Sequence, residues 1–242
     1  MSAPRVSAVV AAAGLSKRFS TRGKKQFAEL GGKPLLTYCL STFELSKLIA
    51  SVVVVVPEDE ISHSRELFRD FGFEKITSVV GGGEKRHVSV KNGFRAVPQD
   101  SDMVLIHDAA RPFVDNNTIK RVIEQCSRTG ASICAVPVTD TLKQADKRNS
   151  FVSGTIPREK LWRAQTPQIF RREILEEVYR SGHMEELDAT DESALVEAEG
   201  IRVGMVMGSN FNMKITTAAD FEIAELIVSK GETSNVQSRN GV

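Results

Sequence analysis

Five basic residues, Lys17, Arg18, Arg22, Lys24 and Lys25, fall within nine positions that hold no acid. They directly follow Ala11-Ala12-Ala13-Gly14. Small residues let backbone approach a ligand closely, and successive N–H groups in such a turn bind anions. Arg offers a planar fork of donors and Lys a compact charge. Arg18 and Lys25 are therefore suited to balance a polyphosphate lying against the backbone of Ala12, Ala13 and Gly14. Without the small-residue segment, the same run of charge would read as a solvated loop. A second cluster is Gly82-Gly83-Glu84-Lys85-Arg86-His87-Val88-Ser89, for which a plain strand-to-helix turn with Ser89 near the helix start is an equal reading. A third is Asp108-Ala109-Ala110-Arg111-Pro112. A carboxylate at a strand tip can hold a divalent metal or a sugar hydroxyl, or simply make a turn.

Several familiar chemistries are missing. G-x-x-x-x-G-K-[ST] is absent, since Gly31-Gly32-Lys33-Pro34 has neither the spacing nor the hydroxyl. No G-x-G-x-x-G follows the first apolar run, which argues against an ordinary dinucleotide site. His63, His87, His107 and His183 show no metal-ligand spacing, and His107, at the end of an apolar strand, reads as packed or hydrogen-bonded. Cys39, Cys126 and Cys134 are odd in number and widely spaced, which suits a reducing cytoplasm better than a disulfide scaffold.

The elements that must carry these clusters alternate. Residues 6–12, 51–56, 77–80, 103–107 and 131–136 read as buried strands. Helices are expected from residue 34 through 43 and over 59–71, 89–96 and 118–128. This rhythm predicts an α/β fold: a Rossmann-like, doubly wound, mostly parallel sheet with helices on both faces. Ligands gather at the carboxyl ends of strands in such sheets, where all three clusters fall. Residues 137–168 break the rhythm and suggest extended, hairpin-like structure without a helix. Helices near 171–180, 192–199 and 218–228 and a strand at 201–206 complete the chain. Residues 1–230 are expected to form a single domain with a projecting β-arm at about 137–162, and 231–242 a flexible tail. Trp162 is expected to pack at the arm base. The segment 185–199, with seven acids and no Lys or Arg, reads mostly as a solvated helix face, Asp191 excepted.

Lys plus Arg number 32 against 31 acids, and charged residues make up 26% of 242, so nothing favours nucleic acid or disorder. No apolar run approaches the ~20 residues of a spanning helix. The soft, Ala-rich start is a better first strand than a signal peptide.

Nine ordered segments resemble the 2-C-methyl-D-erythritol 4-phosphate cytidylyltransferases, the IspD family. They are A-A-G-x-x-x-R-F at 12–19, K-Q-F at 25–27, G-G-x-x-R-x-x-S-V at 82–90, H-D-A-A-R-P at 107–112 and P-V-x-D-T at 137–141. R-x-x-L-W at 158–162, T-P-Q at 166–168, T-D-E at 190–192 and M-K-I-T at 213–216 follow. Ala11 stands where many members have proline, and Glu84 where some have aspartate.

The resemblance implies transfer of CMP from CTP to a sugar-alcohol phosphate, with Mg²⁺. By that likeness Arg18 and Lys25 stabilise the transition state. Ala12, Ala13, Gly14, Gly83, Glu84, Arg86, Ser89 and Ala109 bind the nucleotide. Thr141, Arg158, Thr166, Thr190, Asp108, Arg111 and Lys214 position the acceptor, and Asp108 is a candidate metal ligand. Thr141 and Arg158 lie on the arm, which in the family exchanges contacts within a homodimer. The nearest alternatives are ribitol 5-phosphate as acceptor and a UTP- or dTTP-using transferase acting on a sugar 1-phosphate. From another class, a non-catalytic nucleotide-binding regulatory module is the rival.

Overall fold

The computed structural model describes residues 3–14, 24–146, 148, 150–181 and 189–231. The chain runs β1 (Val6–Ala11), β2 (Glu29–Leu30), β3 (Lys33–Pro34), α1 (Leu35–Leu45), β4 (Ser51–Val56), α2 (Ile61–Asp70), β5 (Ile76–Gly81), α3 (Arg86–Arg95), β6 (Met103–Asp108) and α4 (Asn116–Thr129). It continues through β7 (Ala131–Pro137), β8 (Leu142–Ala145), β9 (Val152–Ile156), β10 (Trp162–Arg171), α5 (Arg172–Ser181), α6 (Glu192–Ala198), β11 (Gly204–Met207) and α7 (Ala218–Ser229).

Seven strands form one sheet in the order β11-β7-β10-β6-β1-β4-β5. Every adjacent pair is parallel except those made by β10. The valine run of β4 is buried at every position, because helices cover both sides of it. On one face Val6, Ala8 and Val10 pack with Leu36, Cys39, Leu40 and Phe43 of α1 and the apolar stripe of α4. On the other face Val9, Val53 and Val55 meet α3, α5 and α6 through Val90, Phe94, Leu175 and Leu195. Gly93 permits the close seat of α3, since a Cβ there would lie 2.5 Å from Val9 Cγ1 and 2.6 Å from Val55 Cγ2. The class is thus the expected doubly wound, mostly parallel α/β sheet.

From β1 the chain winds outward to β4 and β5, then returns to place β6 on the other side of β1. That reversal opens a crevice beyond the carboxyl ends of β1 and β6.

One stretch departs from the sequence expectation. Residues 163–168, expected to be extended and hairpin-like, lie instead in β10, which runs antiparallel between β6 and β7 inside the main sheet. Its buried part includes Gln165, Thr166 and Gln168. Their polarity hid the strand from a hydropathy reading, and each finds hydrogen-bond partners inside the fold. β8 and β9 form a separate two-stranded sheet, with Phe151 just ahead of β9 and Val152 at its start largely exposed. Trp162 is 38% exposed. Among the described residues, no helix is long and apolar enough to cross a membrane.

Candidate active site

The crevice is a cavity of about 660 Å³. Its walls come from successive strand ends: Ala12 to Gly14 after β1, Pro57 to Asp59 after β4, Gly82 to Lys85 after β5 and Ala109 after β6. Lys25, Arg86, Ser89, Asp108 and Lys214 also reach it. The first and third of these loops press together. A Cβ on Gly82 would lie 2.2 Å from the Ala13 Cβ and 2.9 Å from Ser89 Oγ, so only glycine allows this approach. Ser89 then fixes the loop, its Oγ accepting from the Gly83 N–H at 3.0 Å while its hydroxyl faces the carbonyls of Lys85 and Gly83.

Four charges form the floor and its underside, with Arg86, Asp108 and Lys214 lining the cavity and Glu192 buried behind Arg86. Asp108 Oδ1 accepts from Arg86 Nε at 3.0 Å, and Oδ2 accepts from Lys214 Nζ at 2.7 Å. Arg86 Nη1 donates at 2.6 Å to Glu192 Oε2. Burial alone would push the Asp108 carboxyl upward, but Arg86 and Lys214 hold it well below the usual carboxylate range. Burial raises the Glu192 carboxyl above its ordinary value against the pull of Arg86, with Asp108 and Asp191 adding to the rise. Arg86 stays protonated: against its burial, the two carboxylates lift its pKa above the normal guanidinium value.

A buried layer supports that floor. His107 Nε2 lies 3.0 Å from the Arg111 carbonyl, which can only accept, so the proton sits on Nε2. Nδ1 then accepts from the Thr166 hydroxyl at 3.0 Å, while Thr166 Oγ1 accepts from the Asp108 N–H at 3.0 Å. Burial pushes the His107 pKa down to about 4 and keeps the ring neutral. Arg111 Nη1 donates to the Asn212 carbonyl at 2.8 Å, and Asn212 Nδ2 donates to the Thr166 carbonyl at 2.8 Å. Lys25 Nζ donates to the Ile215 carbonyl at 2.6 Å, and the Ile215 N–H donates to the Ala110 carbonyl. The segment carrying Lys214 is thereby tied to both basic and acidic parts of the site.

Of the residues singled out by sequence, Ala12, Ala13, Gly14, Lys25, Gly83, Glu84, Arg86, Ser89, Asp108, Ala109 and Lys214 line this one cavity. Thr166 and Arg111 lie beneath it, buried. Thr190 is exposed just ahead of Asp191, the N-cap of α6. Thr141 and Arg158 are exposed beside the β8–β9 pair, Arg158 donating to the Thr139 carbonyl. Arg18 and most of the tail (232–242) lie outside the described residues. Sequence reasoning missed Glu58 and Asp59, which form a wall of the cavity, and misjudged Glu192. Read as part of a solvated acidic face, Glu192 has 0% exposure and an arginine partner from α3. Its place in T-D-E was the available signal.

The three cysteines are buried and form no disulfide, their thiols pushed up to about 12 by burial, so none is a nucleophile. Among the described residues, no group of three or more His, Cys, Asp or Glu converges on a metal position.

Residues 6–230 match the family profile of IspD, 2-C-methyl-D-erythritol 4-phosphate cytidylyltransferase. The chain belongs to this family. The enzyme of that name from Geotalea uraniireducens is 42% identical over 224 residues, covering 91% of this chain and 95% of the relative. The Halalkalibacterium halodurans relative, also so named, is 41% identical over 226 residues, covering 93% and 98%. Among solved structures, the 2-C-methyl-D-erythritol 4-phosphate cytidylyltransferase of Thermus thermophilus superposes with a TM-score of 0.75 at 31% identity, covering 93% of this chain and 99% of that one. The 4-diphosphocytidyl-2C-methyl-D-erythritol synthase of Anaerococcus prevotii gives a TM-score of 0.81 at 27% identity, covering 94% and 100%. Family members thus share the whole doubly wound architecture that forms the cavity.

Proposed function

We propose that the protein transfers the cytidylyl group of CTP to 2-C-methyl-D-erythritol 4-phosphate, giving 4-diphosphocytidyl-2-C-methyl-D-erythritol and pyrophosphate in the non-mevalonate isoprenoid pathway. The carrying observation is one cavity that joins the small-residue turn at 12–14, the glycine loop at 82–83 and the ammonium groups of Lys25 and Lys214. Such a set suits the meeting of two polyanions.

The chemistry needs no general base. A phosphate monoester has a second pKa of about 6 and is largely dianionic at neutral pH. One of its oxygens attacks the α-phosphorus of CTP. The new P–O bond forms as the bond to the β-phosphate breaks, and pyrophosphate leaves with that electron pair. The protein's task is to place the anions in line and stabilise equatorial charge. Lys25 and Arg18 supply that charge, and the N–H groups at 12–14 hold the triphosphate. The 82–89 loop faces the base, and Asp108 with Lys214 sets the sugar side.

A Mg²⁺ ion, when bound, would neutralise phosphate charge. Asp108 suits it as a single ionised carboxylate, and the remaining ligands would be phosphate oxygens and water, the usual habit of this cation. Thr141 and Arg158 lie off the chain's own cavity, and Phe151 and Val152 present apolar surface at the far end of the β8–β9 pair. These features support a homodimer in which the β8–β9 arm reaches the acceptor site of a second copy. Three cysteines without a disulfide support a cytoplasmic setting.

The test is pyrophosphate release from CTP with each acceptor. Methylerythritol phosphate should give the higher kcat/KM. Preference for ribitol 5-phosphate would reassign the acceptor, and CTP binding without turnover on either would favour a regulatory module.

A further inference from the structure

We propose that Glu192 is a positioning residue for the nucleotide pocket, acting through Arg86; the role rests on the nucleotide-site reading above. Glu192 has 0% exposure, yet its carboxylate is held by a side chain 106 residues away that lines the cavity. Burying an ionised carboxylate is strongly unfavourable unless a partner compensates it. The helix gives no reason for it, because Asp191 already caps α6 by accepting from the Ala194 N–H at 3.1 Å.

The local geometry shows what Glu192 does. Asp108 Oδ1 lies 3.0 Å from both Nε and Nη2 of Arg86, but only Nε is aligned to donate, and Nη2 has no hydrogen-bond partner among the described residues. The pull of Glu192 on Nη1 keeps the guanidinium turned away from a two-point fork on Asp108. Asp108 therefore keeps its second oxygen for Lys214. Two cations face two anions, so the floor is neutral with each group in a fixed place. Neutralising Glu192 leaves one cation in excess. Arg86 then closes onto Asp108, away from the nucleotide wall, and loosens Lys214.

Glu192 is itself seated from below. Gln168 Nε2 donates to Asp191 Oδ2 at 2.7 Å, and Gln168 Oε1 accepts from the Ser193 N–H at 3.2 Å. The start of α6 is thus anchored to β10. Thr190 precedes it, so the same anchor serves both the acceptor-side residue and the nucleotide floor.

The experiment is a double-mutant cycle on CTP affinity, measured by calorimetry with the full chain. Glu192→Gln retains an acceptor oxygen but loses the charge, and should raise the Kd for CTP about tenfold, the scale expected when a charge-assisted bond becomes neutral. In an Arg86→Ala background the same change should have almost no further effect on Kd. If Glu192→Gln does not fold, Gln168→Met leaves all four charges and removes only the anchor; it should raise Kd about threefold, again only when Arg86 is present. Unchanged CTP affinity in a folded variant, or losses that multiply with Arg86→Ala, would overturn the role and leave Glu192 a purely structural group. Wild-type protein that binds CTP without transferring CMP would sink the catalytic reading but not this one. Wild-type protein that binds no CTP would sink both.

Discussion

The neutral His107 makes a prediction about acid stability that can be worked through. The ring titrates at an ordinary 6.5 when exposed but at about 4 in the fold, where burial disfavours its charged form. Between those values the unfolded chain binds a proton that the folded chain refuses. A depressed folded pKa gives stability that is complete above about 6.5 and is lost as pH falls toward 4. Each pH unit in that window is worth about 1.4 kcal/mol, so the imidazole alone removes about 3 kcal/mol. That is a large share of the roughly 5–15 kcal/mol typical of a domain. The geometry gives the same sign. A proton on Nδ1 would point at Thr166 Oγ1, which already accepts from the Asp108 N–H, and would leave the Thr166 hydroxyl proton without its acceptor. The assay is urea unfolding of wild type and His107→Gln at half-unit steps from pH 7 to 4. Comparing slopes cancels any uniform loss caused by the substitution, and the Asp108 carboxyl, held low by Arg86 and Lys214, is present in both proteins. Wild type should lose about 3 kcal/mol more than the variant across the window. Parallel slopes, or an imidazole titrating above pH 6 in the folded protein by NMR, would refute the reasoning.

Two further outcomes follow from the site. Lys25→Ala should keep the fold and lower kcat by about 10²–10³, the scale for one preorganised donor at developing charge; a folded variant with unaltered turnover would remove Lys25 from the mechanism. Heterodimers assembled from Arg158→Ala and Lys25→Ala subunits, each strongly impaired alone, should recover part of the activity through one intact hybrid site. Verified heterodimers that recover none would show that the arm does not complete a neighbour's site.

Apolar patterning and small residues made much of this protein legible before any coordinates. The valine run of β4, the alternation of strands and helices, and the glycine and alanine turns at 12–14 and 82–83 declare a doubly wound sheet and where its cavity opens. A basic segment after the first strand and an aspartate at the tip of a central one suggest anion chemistry from the chain alone. Other features emerged only once distant segments were brought together. Folding placed residues 163–168, expected to be extended and hairpin-like, in a strand between β6 and β7, buried Thr166 and Arg111, and made Glu192 a buried partner of Arg86. A single cause underlies all three. Apolar burial is written in the local period of a chain, whereas a buried polar group is tolerated only through a partner, and Glu192 meets Arg86 across 106 residues.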